Sequence, residues 1–285
     1  MIIVEIVGGL GNQMFCYAYA KSLEAKGFQV KIDISAYETY TLHGGYQLDR
    51  FNIDLQVATL EEISSFIKKG LFHKILRRLN LGQSLIKTEK SLLFDKSLLE
   101  LESNAYVQGY FQSEQYFEGI RQALLNTYTL AENYTDYANQ LKKEIVASEN
   151  SCSIHVRRGD FLNAQNSSVH GTCSLDFYQQ AFSYLNSKYQ NLHVYVFSDD
   201  IEWCKQNLEF ENIHFVDNKN GTPHEDMLLM SLCKHNVISN STFSWWAAWL
   251  NENDAKTVIA PKRWFVSSEM QLQAVDICPK SWVRL

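Results

Sequence analysis

The stretch that decides the expected fold reads Ser153-Ile154-His155-Val156-Arg157-Arg158-Gly159-Asp160-Phe161. It begins as an apolar run, which is typical of a buried strand, and it ends in charged residues where that strand would finish. In open α/β sheets, ligands bind outside the carboxyl ends of the strands. Two adjacent arginines at such a place cost desolvation free energy unless an anion meets them, and a diphosphate would suit them. The alternative is that Arg157 and Asp160 pair with each other and stiffen a turn.

The sequence after residue 150 alternates between strand-like and helix-like segments. Strands are predicted at 152–156, 193–197, 213–216, 236–239 and 257–260, and helices over 174–189, 201–208, 222–234 and 245–250. This alternation predicts a parallel sheet with helices on both faces. Three strand ends would then meet at one edge of the sheet, at 155–160, 198–200 and 240–244.

That edge would carry two cations, hydroxyl and amide donors at a helix N-terminus, and carboxylates able to hold a ribose or a base. This is what a nucleoside diphosphate needs. Each group also has a structural interpretation, since Asp199 or Asp200 could cap the next helix and His155 could be a core histidine. The hydroxyl residues Ser241, Thr242 and Ser244 could be cap and turn residues. Trp245, Trp246 and Trp249 are expected to lie in the core rather than to form a surface on which a sugar stacks.

The N-terminal part predicts a second βαβ unit, with a strand at 2–7, a glycine turn at 8–12, a helix over 13–26 and a strand at 28–34. Asp33 stands where an acidic residue meets the ribose in dinucleotide-binding folds, which makes a nicotinamide- or flavin-dependent oxidoreductase an alternative function. That fingerprint needs a glycine where Met14 stands, so Gly9 and Gly11 fit a tight turn equally well. Glycine also lets another group approach the backbone closely.

Composition limits the classes of function. The 285 residues carry a formal net charge of -6, which argues against broad nucleic-acid binding, so an anion must be held by a local site.

The six scattered cysteines, without a C-x-x-C pair, indicate reduced thiols and a cytoplasmic protein. The basic segment at 71–79 could lie on an anionic membrane surface, although a surface helix covering a core is the favoured interpretation. The absence of a D-x-D pair indicates that arginines, not a metal ion, neutralise a leaving diphosphate.

Four motifs together resemble glycosyltransferase family 11, the α-1,2-fucosyltransferases. They are Gly8-Gly9-Leu10-Gly11-Asn12-Gln13-Met14-Phe15, His155-Val156-Arg157-Arg158-Gly159-Asp160, Phe197-Ser198-Asp199-Asp200 and Ser239-Asn240-Ser241-Thr242-Phe243-Ser244-Trp245-Trp246. The resemblance runs from the first residues to about Pro261. Cys16 stands where Gln is usual and Phe161 where Tyr is common, which bears on fine specificity. The segment at 35–100 matches weakly, and we expect its residues to determine which acceptor is used.

The resemblance implies an α/β, GT-B-like fold of two Rossmann-like domains facing across a cleft. Residues 1–150 would form the acceptor side and residues 151–285 the domain that binds the donor, GDP-fucose. The reaction would be the inverting, metal-independent transfer of L-fucose from GDP-β-L-fucose to the 2-hydroxyl of a terminal galactose in an oligosaccharide, with no cofactor. A lipid-linked acceptor would place this cytoplasmic protein at the inner face of the membrane. A non-catalytic nucleotide- or glycan-binding module is the alternative.

The same resemblance assigns residues. Arg157 would neutralise the β-phosphate, and Gly11 and Asn12 would bring the first domain's loop against the donor. The remaining donor-binding residues would be His155, Arg158, Ser198, Asp199, Asn240, Ser241, Thr242 and Ser244. The resemblance assigns no catalytic base. Asp160 is the first candidate by its position on this edge, with holding Arg157 or Arg158 as its alternative role, and His170 and Asp33 are weaker options.

Overall fold

The computed structural model describes residues 1–40, 42–66, 85–101, 104–162, 167–217 and 222–285. The basic segment at 71–79 lies outside these residues, and so does the side chain of Asp160. The chain forms two compact units, Met1–Glu132 and Asn133–Leu285. No described helix has both the length and the apolar character needed to cross a bilayer.

The first unit is built on a parallel sheet of five described strands. The strands are β1 (Ile2–Glu5), β2 (Val30–Asp33), β3 (Gln56–Val57), β4 (Ile86–Thr88) and β5 (Ala105–Gln108), and their spatial order is β3-β2-β1-β5-β4. Helix α1 (Leu10–Ala25) connects β1 to β2, and α2 (Arg121–Thr127) follows β5. The chain therefore moves outward from β1 and then returns to its other side, so β1 and β5 flank a topological switch point.

The second unit repeats this plan with six described strands. The strands are β6 (Ser151–Val156), β7 (His193–Ser198), β8 (Ile213–Phe215), β9 (His235–Val237), β10 (Val258–Ala260) and β11 (Val283–Arg284), in the order β11-β10-β9-β6-β7-β8. The helices are α3 (Asp136–Ala147), α4 (Leu175–Asn186), α5 (Ile201–Asn207), α6 (Pro223–Ser231), α7 (Thr242–Leu250) and α8 (Ser268–Leu272). All strand pairs are parallel. Here the switch point lies between β6 and β9.

The position of β6 in the core of the second unit explains why its sequence is a nearly continuous run of buried residues. Every residue of β6 is buried, as expected of a central parallel strand covered on both faces. Ile154 and Val156 pack with apolar residues of α4 and β7. Helix α7 is apolar on all sides, and Trp245, Trp246 and Trp249 are at most 4% exposed. The expectation that these tryptophans belong to the core is therefore confirmed.

The structure confirms the parallel α/β units but differs from the expected boundaries. The division falls between Glu132 and Asn133 instead of at residue 150, because α3 packs against α6 of the second unit. Two 3₁₀ turns, Glu114–Tyr116 and Glu118–Ile120, precede α2, and the segment becomes α-helical only at Arg121. Strands β3, β4 and β11 were not predicted, since strands of two or three residues carry too little periodicity to be recognised.

Candidate functional site

The predicted convergence of strand ends in the second unit is confirmed. Strand β6 lies between β7 and β9, with Val156 opposite Ser198 and Ile154 opposite Val237. The segments that follow these strands therefore leave the same edge of the sheet, and two of them flank the switch point. Open parallel sheets bind ligands at this position.

Arg157 is held at this edge by a carboxylate from the neighbouring strand end. Its Nη1 lies 3.1 Å from Oδ2 of Asp199, and the two side chains are 27% and 25% exposed. Its guanidinium also lies 5.8 Å from the centre of the Phe161 ring. Partial exposure matters because a guanidinium carries five N–H donors, so it can keep one carboxylate partner and still meet an anion. The expected role of Asp160 stays a prediction.

Arg158 is engaged differently, by three groups of its own unit. Its Nε donates to Oδ2 of Asp200 at 3.2 Å, and its guanidinium stacks over Trp203 at 4.0 Å. Its backbone N–H donates to Oδ1 of Asp199 at 2.9 Å. These contacts favour a positioning role, in which Arg158 fixes the start of α5 and the carboxylate that faces Arg157. Direct contact between Arg158 and a donor stays a prediction.

Asp199 and Asp200, at the end of β7, fit both interpretations of the sequence, a helix cap and a charged group of the site. Asp200 caps α5, since its Oδ1 accepts the N–H of Trp203 at 3.2 Å. Ser198 Oγ accepts the N–H of Asp200 at 2.9 Å and so shapes this turn. Asp199 is the member of the pair that reaches Arg157. The cap and the ion pair thus coexist on adjacent residues.

His155 is a buried histidine beside these charges. It is 5% exposed, and its Nδ1 lies 2.9 Å from the hydroxyl of Ser239. Burial lowers the pKa of His155 to about 3, the charge of Asp199 opposes this shift, and Arg157 adds to it. The imidazole is therefore neutral near pH 7. Its hydrogen-bond partner, Ser239, follows β9, so the bond joins the two strands that flank the switch point.

Acid should destabilise the protein through His155. The folded pKa of about 3 lies below the ordinary value of 6.5, so the unfolded chain binds the proton first as the pH falls. The stability that His155 contributes is complete above about pH 6.5 and is lost as the pH falls toward 3. The free energy of unfolding, measured by urea at several pH values, should fall less steeply over this range in His155→Asn than in the unaltered protein. An unchanged slope would contradict the assignment.

The segment after β9 serves mainly to build the N-terminus of α7. Ser241 caps the helix by accepting the N–H of Phe243 at 3.3 Å, and Ser244 donates to the carbonyl of Ser241 at 3.2 Å. Asn240 donates to the carbonyls of His170, Gly171 and Trp264 at 3.0 to 3.2 Å. Ser241 and Thr242 remain partly exposed at this helix N-terminus, where backbone N–H groups favour an anion. Contact between these residues and a diphosphate stays a prediction.

In the first unit, the glycine loop is fixed by Gln13, Asn12 and Gln112, of which the sequence interpretation assigned a role only to Asn12. Gln13 is fully buried, and its Nε2 donates to the carbonyls of Gly8 and Gly45 at 3.0 and 2.8 Å. Gly8 has φ +75°, and a Cβ there would lie 2.7 Å from Asn12 Nδ2. Asn12 in turn accepts from Gln112 at 2.9 Å. A polar Gln just before the apolar run Met14–Ala20 of α1 was the available signal for this role. Gly11 lies in the first turn of α1, and contact of this loop with a donor stays a prediction.

Asp33 corrects the dinucleotide interpretation. It lines a cavity of about 350 Å³ in the first unit, but it is only 3% exposed. One carboxylate oxygen accepts from the Tyr106 hydroxyl at 2.7 Å and the other from the Ser35 N–H at 2.8 Å. Both oxygens are therefore bonded within the unit, which argues against a ribose contact and against Asp33 as the catalytic base.

Comparisons with known proteins agree with the four motifs. The model of the family described as Glycosyl transferase family 11 matches residues 2–285. An alpha-1,2-colitosyltransferase of Escherichia coli is 35% identical over 100% of this chain and 99% of its own length. A galactoside alpha-(1,2)-fucosyltransferase 2 of Gorilla gorilla gorilla is 27% identical over 51% of this chain and 45% of its own length.

The fold has a counterpart among solved structures. The crystal structure of NodZ alpha-1,6-fucosyltransferase soaked with GDP-fucose matches 87% of this chain and 91% of that chain, with a TM-score of 0.51 at 14% identity. At this identity the likeness concerns the fold alone, and it confirms the GT-B-like class with two Rossmann-like units. Because the family model spans nearly the whole chain, the oxidoreductase alternative is set aside. The chain belongs to glycosyltransferase family 11.

Proposed function

We propose that this protein transfers L-fucose from GDP-β-L-fucose to the 2-hydroxyl of a terminal galactose in an oligosaccharide, with inversion at the anomeric carbon. The observation that carries the proposal is the partly exposed Arg157 at the switch point of the second unit, paired with Asp199. As the bond between the sugar and the β-phosphate breaks, negative charge develops on the diphosphate. A preorganised guanidinium stabilises that charge more in the transition state than in the ground state.

The proposal includes transfer without a metal ion. Arg157 and the N-terminus of α7 supply positive potential at the same sheet edge, which is the role that a divalent cation would otherwise fill. The expected result is that EDTA leaves the rate of transfer unchanged. A rate that collapses with EDTA and returns with added Mg²⁺ or Mn²⁺ would contradict this part of the proposal.

The donor sugar has two candidates. The fucosyltransferase relative supports fucose, and the colitosyltransferase relative, which matches the whole chain, supports colitose. Colitose is the 3-deoxy analogue of fucose. A site that hydrogen-bonds the 3-hydroxyl would reject colitose by about 10⁴-fold or more, whereas an apolar wall there would reject the added hydroxyl of fucose by only about 10²-fold. The ratio of kcat/KM for the two donors therefore shows whether the protein surface that faces position 3 of the sugar is hydrogen-bonding or apolar.

The test is a competition between donors on a panel of galactose-terminated acceptors. We expect kcat/KM to be higher with GDP-fucose than with GDP-colitose, and we expect an α-1,2 linkage in the product by NMR. A reversed preference would assign the colitosyl activity in place of the fucosyl one. Absence of transfer from either donor, with GDP still bound, would favour the non-catalytic alternative.

The loop that follows β6 offers a further prediction, at Gly159. A Cβ at this position would lie 2.8 Å from Oδ2 and 3.2 Å from Cγ of Asp199, so that carboxylate must move. The movement would disturb its pair with Arg157 and its bond to the Arg158 N–H, so Gly159→Ala should lower kcat/KM about tenfold, as loss of a charged hydrogen bond does. Gly119→Ala is the matched control, because a Cβ there meets nothing within 4 Å. Equal activities of the two variants would contradict the positioning role of Asp199.

A further inference from the structure

A chain of hydrogen bonds runs from His155 to the start of α7 in the second unit. Nδ1 of His155 lies 2.9 Å from Oγ of Ser239, and that oxygen lies 3.4 Å from Oγ of Ser244. Ser244 Oγ donates in turn to the carbonyl of Ser241 at 3.2 Å. His155, Ser239 and Ser244 are at most 5% exposed, so bulk water cannot replace these bonds. The direction of each bond is therefore set within the protein.

That direction follows from the number of hydrogens available. A serine hydroxyl has one hydrogen to donate and two lone pairs that accept. The hydrogen of Ser244 goes to the Ser241 carbonyl, so the contact between the two hydroxyls uses the hydrogen of Ser239. Ser239 then accepts from Nδ1–H of His155. The reverse direction, in which Ser239 donates to Nδ1, would satisfy only two of the three contacts, and a buried polar network is most stable when every member is bonded.

The direction of these bonds fixes the tautomer of the imidazole. The ring of His155 is neutral near pH 7, because burial lowers its pKa to about 3. A neutral imidazole carries a hydrogen on one nitrogen only, and the hydrogen bonds of the ring decide which nitrogen that is. With the hydrogen on Nδ1, Nε2 has a lone pair and can only accept a hydrogen bond.

Nε2 of His155 is available to a ligand. Among the residues that the structure describes, this nitrogen has no hydrogen-bond partner, since the bond of the ring is made by Nδ1. The described side-chain atoms that are fully buried without a partner belong to other residues, so Nε2 reaches the surface of the unit. Besides burial, the charges of Asp199 and Arg157 also shift the pKa of His155, so the imidazole lies close to this ion pair. An acceptor in this place needs a donor from the ligand.

We propose that Ser239 is a positioning residue, which holds His155 in the tautomer whose Nε2 accepts a hydrogen bond from a hydroxyl or N–H group of the bound nucleoside. This inference rests on the function proposed above and deepens it. The diphosphate oxygens of a GDP-sugar are ionised near neutral pH and only accept, so they cannot be the partner of Nε2. The ribose hydroxyls and the N–H groups of guanine can donate. Arg157, whose guanidinium only donates, suits the diphosphate.

The tautomer is measured directly by nitrogen-15 NMR of the full chain, labelled at its eight histidines. The nitrogen that carries the hydrogen and the nitrogen with the lone pair differ widely in chemical shift, and their couplings to the ring C–H protons identify them. We expect Nδ1–H for His155 near neutral pH in the unaltered protein, and loss of this preference in Ser239→Ala. His155→Asn assigns the signals by removing them. A ring of the unaltered protein that carries its hydrogen on Nε2 would overturn the inference.

The consequence for binding is measured by calorimetry with GDP and four analogues, each of which lacks one donor group. They are 2′-deoxy-GDP, 3′-deoxy-GDP, IDP, which lacks the 2-amino group, and 1-methyl-GDP, which lacks the N1–H. We expect the unaltered protein to bind one analogue about tenfold more weakly than GDP, as loss of one hydrogen bond implies. In Ser239→Ala this difference should shrink to about twofold. A deoxy analogue would identify the ribose as the source of the donor, and either of the other two would identify guanine.

The matched control is Ser153→Ala. Ser153 is a buried serine of β6, and its hydroxyl accepts from Asn236 at 2.8 Å instead of bonding His155. This variant loses a buried hydroxyl of the same sheet, so it should keep both the Nδ1–H tautomer and the tenfold difference. Loss of either in Ser153→Ala would show that the effect of Ser239→Ala is a general structural one, and would overturn the positioning role.

Failure of the inference is distinguishable from failure of the proposed function. Equal affinity of the unaltered protein for GDP and all four analogues would overturn the inference and leave the proposed function standing, and so would a difference that Ser239→Ala preserves. Absence of GDP binding by the unaltered protein would instead refute the proposed function. The tautomer measurement needs no ligand, so it tests the role of Ser239 in either case.

Discussion

Replacement of Arg157 by alanine is expected to lower turnover at least about a hundredfold, with a smaller effect on the KM for the acceptor. The guanidinium stabilises charge that appears on the diphosphate only as the sugar leaves, and loss of one such donor in a preorganised site costs about 10²–10³ in rate. Steady-state kinetics with GDP-fucose and a galactoside acceptor measures the effect. Arg157→Lys should recover part of the rate, since it keeps the charge but loses the planar pair of donors.

A control separates this effect from a general loss of positive charge. Arg50 is an exposed arginine of the first unit, with 51% of its side chain exposed and only a 3.8 Å approach to Asp49. Arg50→Ala should leave turnover unchanged. A near-normal rate for Arg157→Ala, or equal losses in the two variants, would refute the role of Arg157 in stabilising the leaving group.

Replacement of Trp246 by alanine is expected to lower the free energy of unfolding by about 3–5 kcal/mol, the usual cost of emptying a buried Trp site. Trp246 is completely buried in α7. Its ring packs edge-on against Trp245 and Trp249, with ring centres 5.1 and 5.2 Å away. No side chain is left to fill the space, so the cavity and the lost contacts both contribute. Urea unfolding followed by tryptophan fluorescence and circular dichroism measures the change.

The comparison for Trp246→Ala is Leu272→Ala in α8. Leu272 is 76% exposed, so its truncation should change the free energy of unfolding by no more than about 0.5 kcal/mol. A loss below about 1 kcal/mol for Trp246→Ala would show that α7 is not anchored by this tryptophan cluster. It would also weaken the argument that α7 presents a rigid N-terminus to an anion.

The sequence was sufficient for the α/β plan because the decisive elements carry strong local signals. Strand β6 is a continuous apolar run that ends in charged residues, and such a pattern fits a central parallel strand better than any other element. The glycine turn after β1 and the Thr222-Pro223 start of α6 are equally local. Short strands such as β3 and β11 owe their existence to pairing with a neighbour, which no local pattern reports.

The sequence predicted which residues gather at the site, but it did not predict which partner each of them contacts. Arg157 and Arg158 are adjacent and chemically alike, yet one pairs with Asp199 while the other lies on Trp203 and bonds Asp200. Alternation along the chain turns neighbouring side chains in different directions, but which partner each one meets depends on β7 and α5. The partners of Asp33 were not predictable for the same reason, because its bond to Tyr106 joins residues 73 positions apart.

Residues that act through buried hydrogen bonds were the hardest to recognise. Gln13 bonds the carbonyls of Gly8 and Gly45, and Gln47 bonds the carbonyl of His43, but the sequence did not identify these partners. Asn240 is part of a recognised motif, and its side chain nonetheless ties three backbone carbonyls together. Buried polar side chains need partners, so each of them predicts a bond, but the sequence does not identify the partner.

The measurement that tests the central claim most directly is a crystal structure of this protein with GDP bound. The account predicts that the β-phosphate lies at the carboxyl edge of β6 and β9, within about 3 Å of the Arg157 guanidinium and near the N-terminus of α7. GDP bound elsewhere, with Arg157 still paired to Asp199 and far from any phosphate, would contradict the account.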